Sequence, residues 1–218
     1  MRFKLSLALT ILAAGAVVVA LPAAVSAQQR PGPTDKGKWA EPPKDLTQKD
    51  LSKAQRGDPT KNLDFLFEAL KVAPDETSAK AIEQRIWALW MVSRSDTANL
   101  LMSRARAAAE AQDTDLALRL LNSIIAIRPD YVEAWNRRAT LNFMKKDYGA
   151  SLADISQVLR REPRHFGALS GLGLILQEIG DDKHALEAYR KAIEIYPRLE
   201  NIPAQIDKLR EKVEGRDI

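Results

Sequence analysis

No cysteine occurs in the 218 residues. That excludes disulfides, thiol nucleophiles, Cys-based zinc sites and lipid attachment through a cysteine. Histidine is nearly as scarce: His165 and His184 are the two, and neither has metal-ligand spacing to another histidine. A charge excess is also missing. The formal net charge is +4, but Arg2 and Lys4 sit in a segment without acidic residues, and without them the balance is about +2. A dedicated nucleic-acid binder carries a strong basic excess, so nucleic acid is not an expected partner. P-loop, G-x-S-x-G and H-E-x-x-H motifs are absent. Gly171-x-Gly173 opens no strand-to-helix turn and reads as helix packing, and His184 with Glu187 reads as an exposed helix face. The chain is not expected to be an enzyme, and no metal or cofactor is expected.

The N-terminus carries an address. Met1 to Lys4 is basic, Leu5 to Leu21 is uncharged and mostly apolar, Pro22 follows, and Val25 and Ala27 place small residues where a signal peptidase reads. Residues 1–27 are therefore expected to be a signal peptide cleaved after Ala27, with a periplasmic or secreted product. The alternative is an uncleaved anchor over residues 5–27, a run long enough to span a bilayer; only then does the membrane become a partner. Residues 28–61 hold five of the eleven prolines and few large apolar residues. Such a segment cannot bury enough surface to offset its ordering entropy, and a disordered Pro/Lys-rich linker is expected, with Trp39 a lone aromatic in it.

From residue 62 the pattern becomes helical. Leu63, Leu66, Phe67 and Leu70 share one helix face, as do Ile82, Ile86, Leu89 and Trp90 on the next helix. Pro74 ends the first helix and Asp75 can cap the second. Farther on, Pro129, Pro163 and Pro197 recur every 34 residues, and so do Asp113, Asp147 and Asp181. A fixed period of this size marks a stacked repeat. The units are 98–131, 132–165 and 166–199, each two helices with Asp capping the second and Pro closing it.

These units resemble the tetratricopeptide repeat (TPR), whose pattern is W-x2-L-G-x2-Y, then A-x3-F, then P. Unit two has Trp135, Ala139, Ser151, Ile155 and Pro163; unit three has Leu172-Gly173, Ala185, Tyr189, Ala192 and Pro197; unit one has Leu101, Ala105, Ala117, Leu121, Ile124 and Pro129. The chain is also similar to small secreted bacterial TPR proteins. The resemblance implies an all-α helical-hairpin solenoid. Residues 62–97 are a divergent helix pair expected to cap its N-terminal end, and 200–218 a C-terminal capping helix with Ile202, Ile206, Leu209 and Val213 on its apolar side.

The resemblance further implies a concave face, lined by the first helix of each unit, that takes a protein or peptide partner. The candidates are Asn99, Met102 and Arg106 in unit one, Asn136, Arg137, Thr140 and Phe143 in unit two, and Ser170, Leu174 and Gln177 in unit three. Met102, Gly167 and Gly171 depart from the TPR subgroup that clamps a C-terminal carboxylate, so chaperone-tail binding of that type is not expected. In the run EAWNRRATL, Trp135 is expected to be a core wedge and Arg137 to face the partner. Arg138 replaces the usual buried Leu, and the family's variant with Asp at position 23 implies an ion pair between Arg138 and Asp154. The expected function is a binding adaptor or scaffold of the cell envelope; the alternative is a structural or oligomer-forming subunit of an envelope assembly with no peptide groove.

Overall fold

The computed structural model describes residues 59–215, with side chains from Leu63 onward, and every regular element among them is an α-helix. The expected signal peptide and all but the last residues of the expected linker lie outside the described residues. α1 (Pro59–Lys71) begins three residues inside the span assigned to the linker. Proline suits a first helical turn, where its missing N–H has no intrahelical partner, and the buried Leu66, Phe67 and Leu70 give the helix a core face.

α2 (Glu76–Trp90) is capped by Asp75, which accepts from the Ser78 N–H at 2.8 Å. Ser95 caps α3 (Asp96–Glu110). The periodic aspartates cap the second helix of each unit: Asp113 for α4 (Thr114–Ile127), Asp147 for α6 (Tyr148–Arg161) and Asp181 for α8 (Asp182–Ile195). Before each of them the chain passes through the left-handed region, at Gln112, Lys146 and Gly180. There the Asp N–H turns back to a carbonyl of the first helix, Ala108, Asn142 and Leu176 respectively, at 2.8–2.9 Å. The first helices of units two and three are α5 (Val132–Met144) and α7 (Phe166–Glu178).

Within each unit the two helices cross at a small residue. Ala105 shares a core with Leu121, and Ala139 with Ile155. In unit three the facing residue is the larger Tyr189, and here the small residue is Gly173: a Cβ on it would lie 2.6 Å from the ring's Cδ1. Successive units stack through α4 on α5 and α6 on α7. α9 (Ile202–Val213) closes the array on α8, with Ile202, Ile206 and Leu209 buried and Arg190–Glu214 and Lys212–Asp182 pairs at its edge.

The N-terminal pair departs from expectation. It does not cap the array ahead of unit one; it joins the core of unit three. Leu66, Phe67, Leu70, Ile86, Trp87 and Trp90 form one cluster with Phe166, Leu169, Tyr189, Tyr196 and Ile202, and α1 packs against α8. Polar contacts hold the same arrangement. Arg198 donates to the carbonyls of Ala73 and Pro74, Lys80 pairs with Glu200 at 2.6 Å, and Arg164 pairs with Asp64 while lying over the Phe67 ring. The physical reason is α2's composition. In its last turn Ile86, Trp87, Ala88 and Trp90 are all buried, so the apolar surface there is wider than a single stripe and must be enclosed on more than one side.

Candidate functional site

The first helices α3, α5 and α7 carry the expected groove residues, and α2 occupies the part of their common face nearest the starts of α5 and α7. His165, at the N-cap of α7, accepts from the Ala168 N–H through Nδ1 at 3.0 Å. Its proton therefore sits on Nε2, directed at Glu133 Oε2 at 3.4 Å. The imidazole stacks on Trp90, while Trp87 meets Phe166 edge-on. Tyr131 donates its phenolic hydrogen to the Met91 carbonyl at 2.5 Å, and burial pushes that phenol far above its ordinary range. Glu133, fully buried, accepts from Asn136 at 3.1 Å and from Arg137 Nε at 3.0 Å. Arg137 also reaches Met91 Sδ at 3.4 Å.

This changes the standing of most groove candidates. Met102, Asn136, Ser170 and Leu174 are buried rather than open. Ser170 donates to the Gly167 carbonyl, and Leu174 packs with Ala139 and Ile175 in the core between units two and three. Asn99 exchanges hydrogen bonds with Ser93 and so pins the loop between α2 and α3. Arg137 is directed at Glu133 and Met91 rather than at a partner. Arg106, Thr140, Phe143 and Gln177 keep accessible surface, beside Met144, which is 67% exposed. Arg106 lies 3.7 Å from Glu110, Thr140 donates to the Asn136 carbonyl, and Gln177 accepts from the Tyr189 hydroxyl at 2.7 Å. The open part of the face is thus a strip across the later turns of the three helices.

Two residues of EAWNRRATL resolve differently from each other. Arg138 forms a two-pronged pair with Asp154, at 2.9 and 2.7 Å, and its remaining nitrogen donates to Asn122 of unit one at 2.7 Å. Asp154 is buried and accepts also from Asn142. Trp135, expected as a core wedge, is half-exposed: its indole N–H donates to the Pro129 carbonyl, and Arg138 and Arg161 lie over its ring. Its hydrogen bond to Pro129 reaches across to unit one, while the two cation–π contacts hold the ring within unit two.

Sequence reasoning missed Trp87, Met91 and His165 as residues of this face; Glu133 stands at groove register in unit two, but its burial was not foreseen. The unbroken apolar run 86–92 is the signal that could have found the first two. His165 and Glu133 have local partners, the Ala168 N–H for the one and Asn136 and Arg137 for the other, but nothing local marks His165 as the residue on which Trp90 stacks. Among the described residues no cluster of three His, Asp or Glu is placed to hold a metal ion.

Comparison with known proteins agrees with this architecture. The tetratricopeptide repeat family model matches residues 102–155 and 145–200. A TPR repeat-containing protein of Rhizobium etli is 45% identical over 157 residues, covering 72% of this chain and 77% of that protein. Among solved structures, the Sgt2 TPR domain from Aspergillus fumigatus is similar with a TM-score of 0.52 at 23% identity, covering 57% of this chain and 83% of that one. The first TPR of Spaghetti, bound to the HSP90 peptide SRMEEVD, gives 0.53 at 16% identity, covering 55% and 95%. At these identities the likeness to solved structures is one of fold. Repeat register, helical architecture and relatives converge: the chain belongs to the tetratricopeptide repeat family.

Proposed function

We propose that this chain is a non-catalytic protein-binding scaffold of the cell envelope, exported by residues 1–27, that contacts a peptide or protein segment on the open strip of its concave face. The observation that carries the reading is the chain's own use of that face. α2 is held there by stacked rings and by the Tyr131 hydrogen bond to its C-terminal carbonyl, the kinds of contact by which a groove retains a helical segment. Arg106, Thr140, Phe143, Met144 and Gln177 extend the same face beyond α2 and mix charge, amide, hydroxyl and apolar surface. The Spaghetti domain, a fold neighbour, binds a peptide, which supports peptide binding as a use of the fold. The replacements at Met102, Gly167 and Gly171 argue for a different ligand chemistry.

The seating of α2 also favours a second reading, a structural or oligomer-forming subunit with no peptide groove. Crosslinking pull-downs from envelope extracts with the mature chain and its Arg106→Glu and Met144→Glu variants separate the two. Loss of partner capture at unchanged oligomeric state supports the groove, and loss of self-association supports the second reading. Unchanged behaviour in both respects contradicts a role for the strip. N-terminal sequencing of the mature protein should begin at Gln28; retention of the full-length form in membranes would contradict export with cleavage.

A further inference from the structure

Three methionines lie among the described residues, and their sulfurs have different surroundings. Met102 is buried, and Met144 stands exposed beside the open strip. Met91 is partly exposed at the end of α2, where the N-terminal helix pair meets unit two. Its carbonyl accepts from Tyr131, and its Sδ lies 3.4 Å from Arg137 Nη2. Arg137 is held in that direction, because its Nε donates at 3.0 Å to the buried Glu133, which Asn136 also holds.

A thioether is a weak acceptor, whereas a guanidinium is a permanently charged donor. Among the described residues, Met91 Sδ is the acceptor that Arg137 Nη2 has. A strong donor is thus aimed at a weak acceptor. Oxidation of the sulfur removes that mismatch, since a sulfoxide is polar and carries an oxygen. A methionine enclosed in a core loses packing when it is oxidised. Met91 is partly exposed, so its product need not be enclosed in apolar surroundings, and a cation already faces it.

We propose that Met91 is an oxidation site whose sulfoxide is held by Arg137, so that modification tightens the end of α2 on unit two instead of loosening it. The oxidant is a peroxide. The sulfur lone pair attacks one peroxide oxygen, the O–O bond breaks, and the departing hydroxide takes the proton of the transferred oxygen and leaves as water. Sulfur gives up two electrons and the peroxide is reduced. The sulfoxide oxygen then accepts from Nη2, which puts a charge-assisted bond in place of an N–H···S contact. No partner on the concave face is needed for this step.

The experiment compares two forms of the full-length chain: Met144→Leu, which keeps Met91, and the double variant Met91→Leu/Met144→Leu. Both are treated with hydrogen peroxide under conditions that leave Met102 unmodified, and peptide mass spectrometry reads the sulfoxides. Met91 should be converted. Treatment should raise the melting temperature of the Met144→Leu chain by about 2–4 °C, the scale on which one net bond acts in a chain of this size, and leave that of the double variant unchanged. In Arg137→Lys, whose single ammonium cannot serve both Glu133 and the sulfoxide, the rise should vanish. Met91→Gln supplies an acceptor oxygen without any oxidant and should melt above Met91→Leu. A Met91 that resists conversion, a fall or no change on its conversion, an equal rise in Arg137→Lys, or Met91→Gln melting at or below Met91→Leu would overturn the proposal.

Discussion

The imidazole of His165 lies flat against the indole of Trp90, ring centres 4.0 Å apart and planes within 8° of parallel. Because His165 also caps α7 and points its proton at Glu133, this one stack joins the N-terminal helix pair to the first turn of unit three and to α5 of unit two. Removal of the indole should be costly. Trp90→Ala is expected to lower unfolding stability by about 3–5 kcal/mol, as for large aromatics in cores, read from urea denaturation. A loss below about 1 kcal/mol would mean that α2 is not seated on the array.

The Arg138–Asp154 pair makes a different prediction, since breaking a buried pair strands the surviving charge. Asp154→Ala should destabilise the fold by about 3 kcal/mol. The double variant Arg138→Leu/Asp154→Ala puts back the aliphatic residue the repeat ordinarily has and should recover most of that loss. Equal destabilisation in the single and double variants, measured by thermal or urea melts, would contradict the account.

Unit three differs from its neighbours by exchanging an Ala opposite an aliphatic for a Gly opposite a tyrosine. Gly173→Ala should therefore cost about 1–3 kcal/mol through overpacking against Tyr189, even though alanine favours a helix interior. Combining it with Tyr189→Leu recreates the Ala105–Leu121 arrangement of unit one, and the pair should be less destabilised than the sum of the singles. Additive losses in that cycle would show that the ring does not dictate the glycine.

Glu83 sets a pH signature for the same N-terminal contact. Burial, with a contribution from Glu200, holds its carboxyl above the ordinary glutamate value of 4.5, against the opposing hydrogen bonds from Trp87 and Tyr196 and the charge of Lys80. The folded state thus keeps a proton that the unfolded chain releases, and the stability it confers is lost as pH rises from 4.5 through the raised value. Glu83→Gln should gain stability relative to the parent across that window and hold the gain above it. A difference that does not change with pH would contradict this placement.

The array itself was legible in the sequence because its punctuation is chemical. Asp113, Asp147 and Asp181 must accept helix N–H groups, the prolines must end helices, and both act locally. The Arg138 and Asp154 positions could be related through the 34-residue frame, since the distance between them is set within one helical hairpin. The location of residues 63–90 was not legible. Their stripe of Leu and Ile specified helices but not which distant surface they cover, and α2's second buried side came from Trp87 and Ala88, outside the periodic set. The groove candidates misled for the same reason. Met102, Asn136 and Ser170 stand at groove register, and their burial depends on chain that lies elsewhere in the sequence or on packing that register alone does not report.

The central claim, that the N-terminal helix pair folds onto the third unit, has a direct test that needs no substitution. Zero-length carbodiimide coupling joins an amine to a carboxylate only where the two are in contact. Lys80 Nζ lies 2.6 Å from Glu200, far along the chain, and Lys145 Nζ lies 3.0 Å from Asp115 inside the array as an internal control. Mass spectrometry of the coupled monomer should find both the Lys80–Glu200 and the Lys145–Asp115 linkages. Recovery of Lys145–Asp115 with no Lys80–Glu200 linkage would contradict the account.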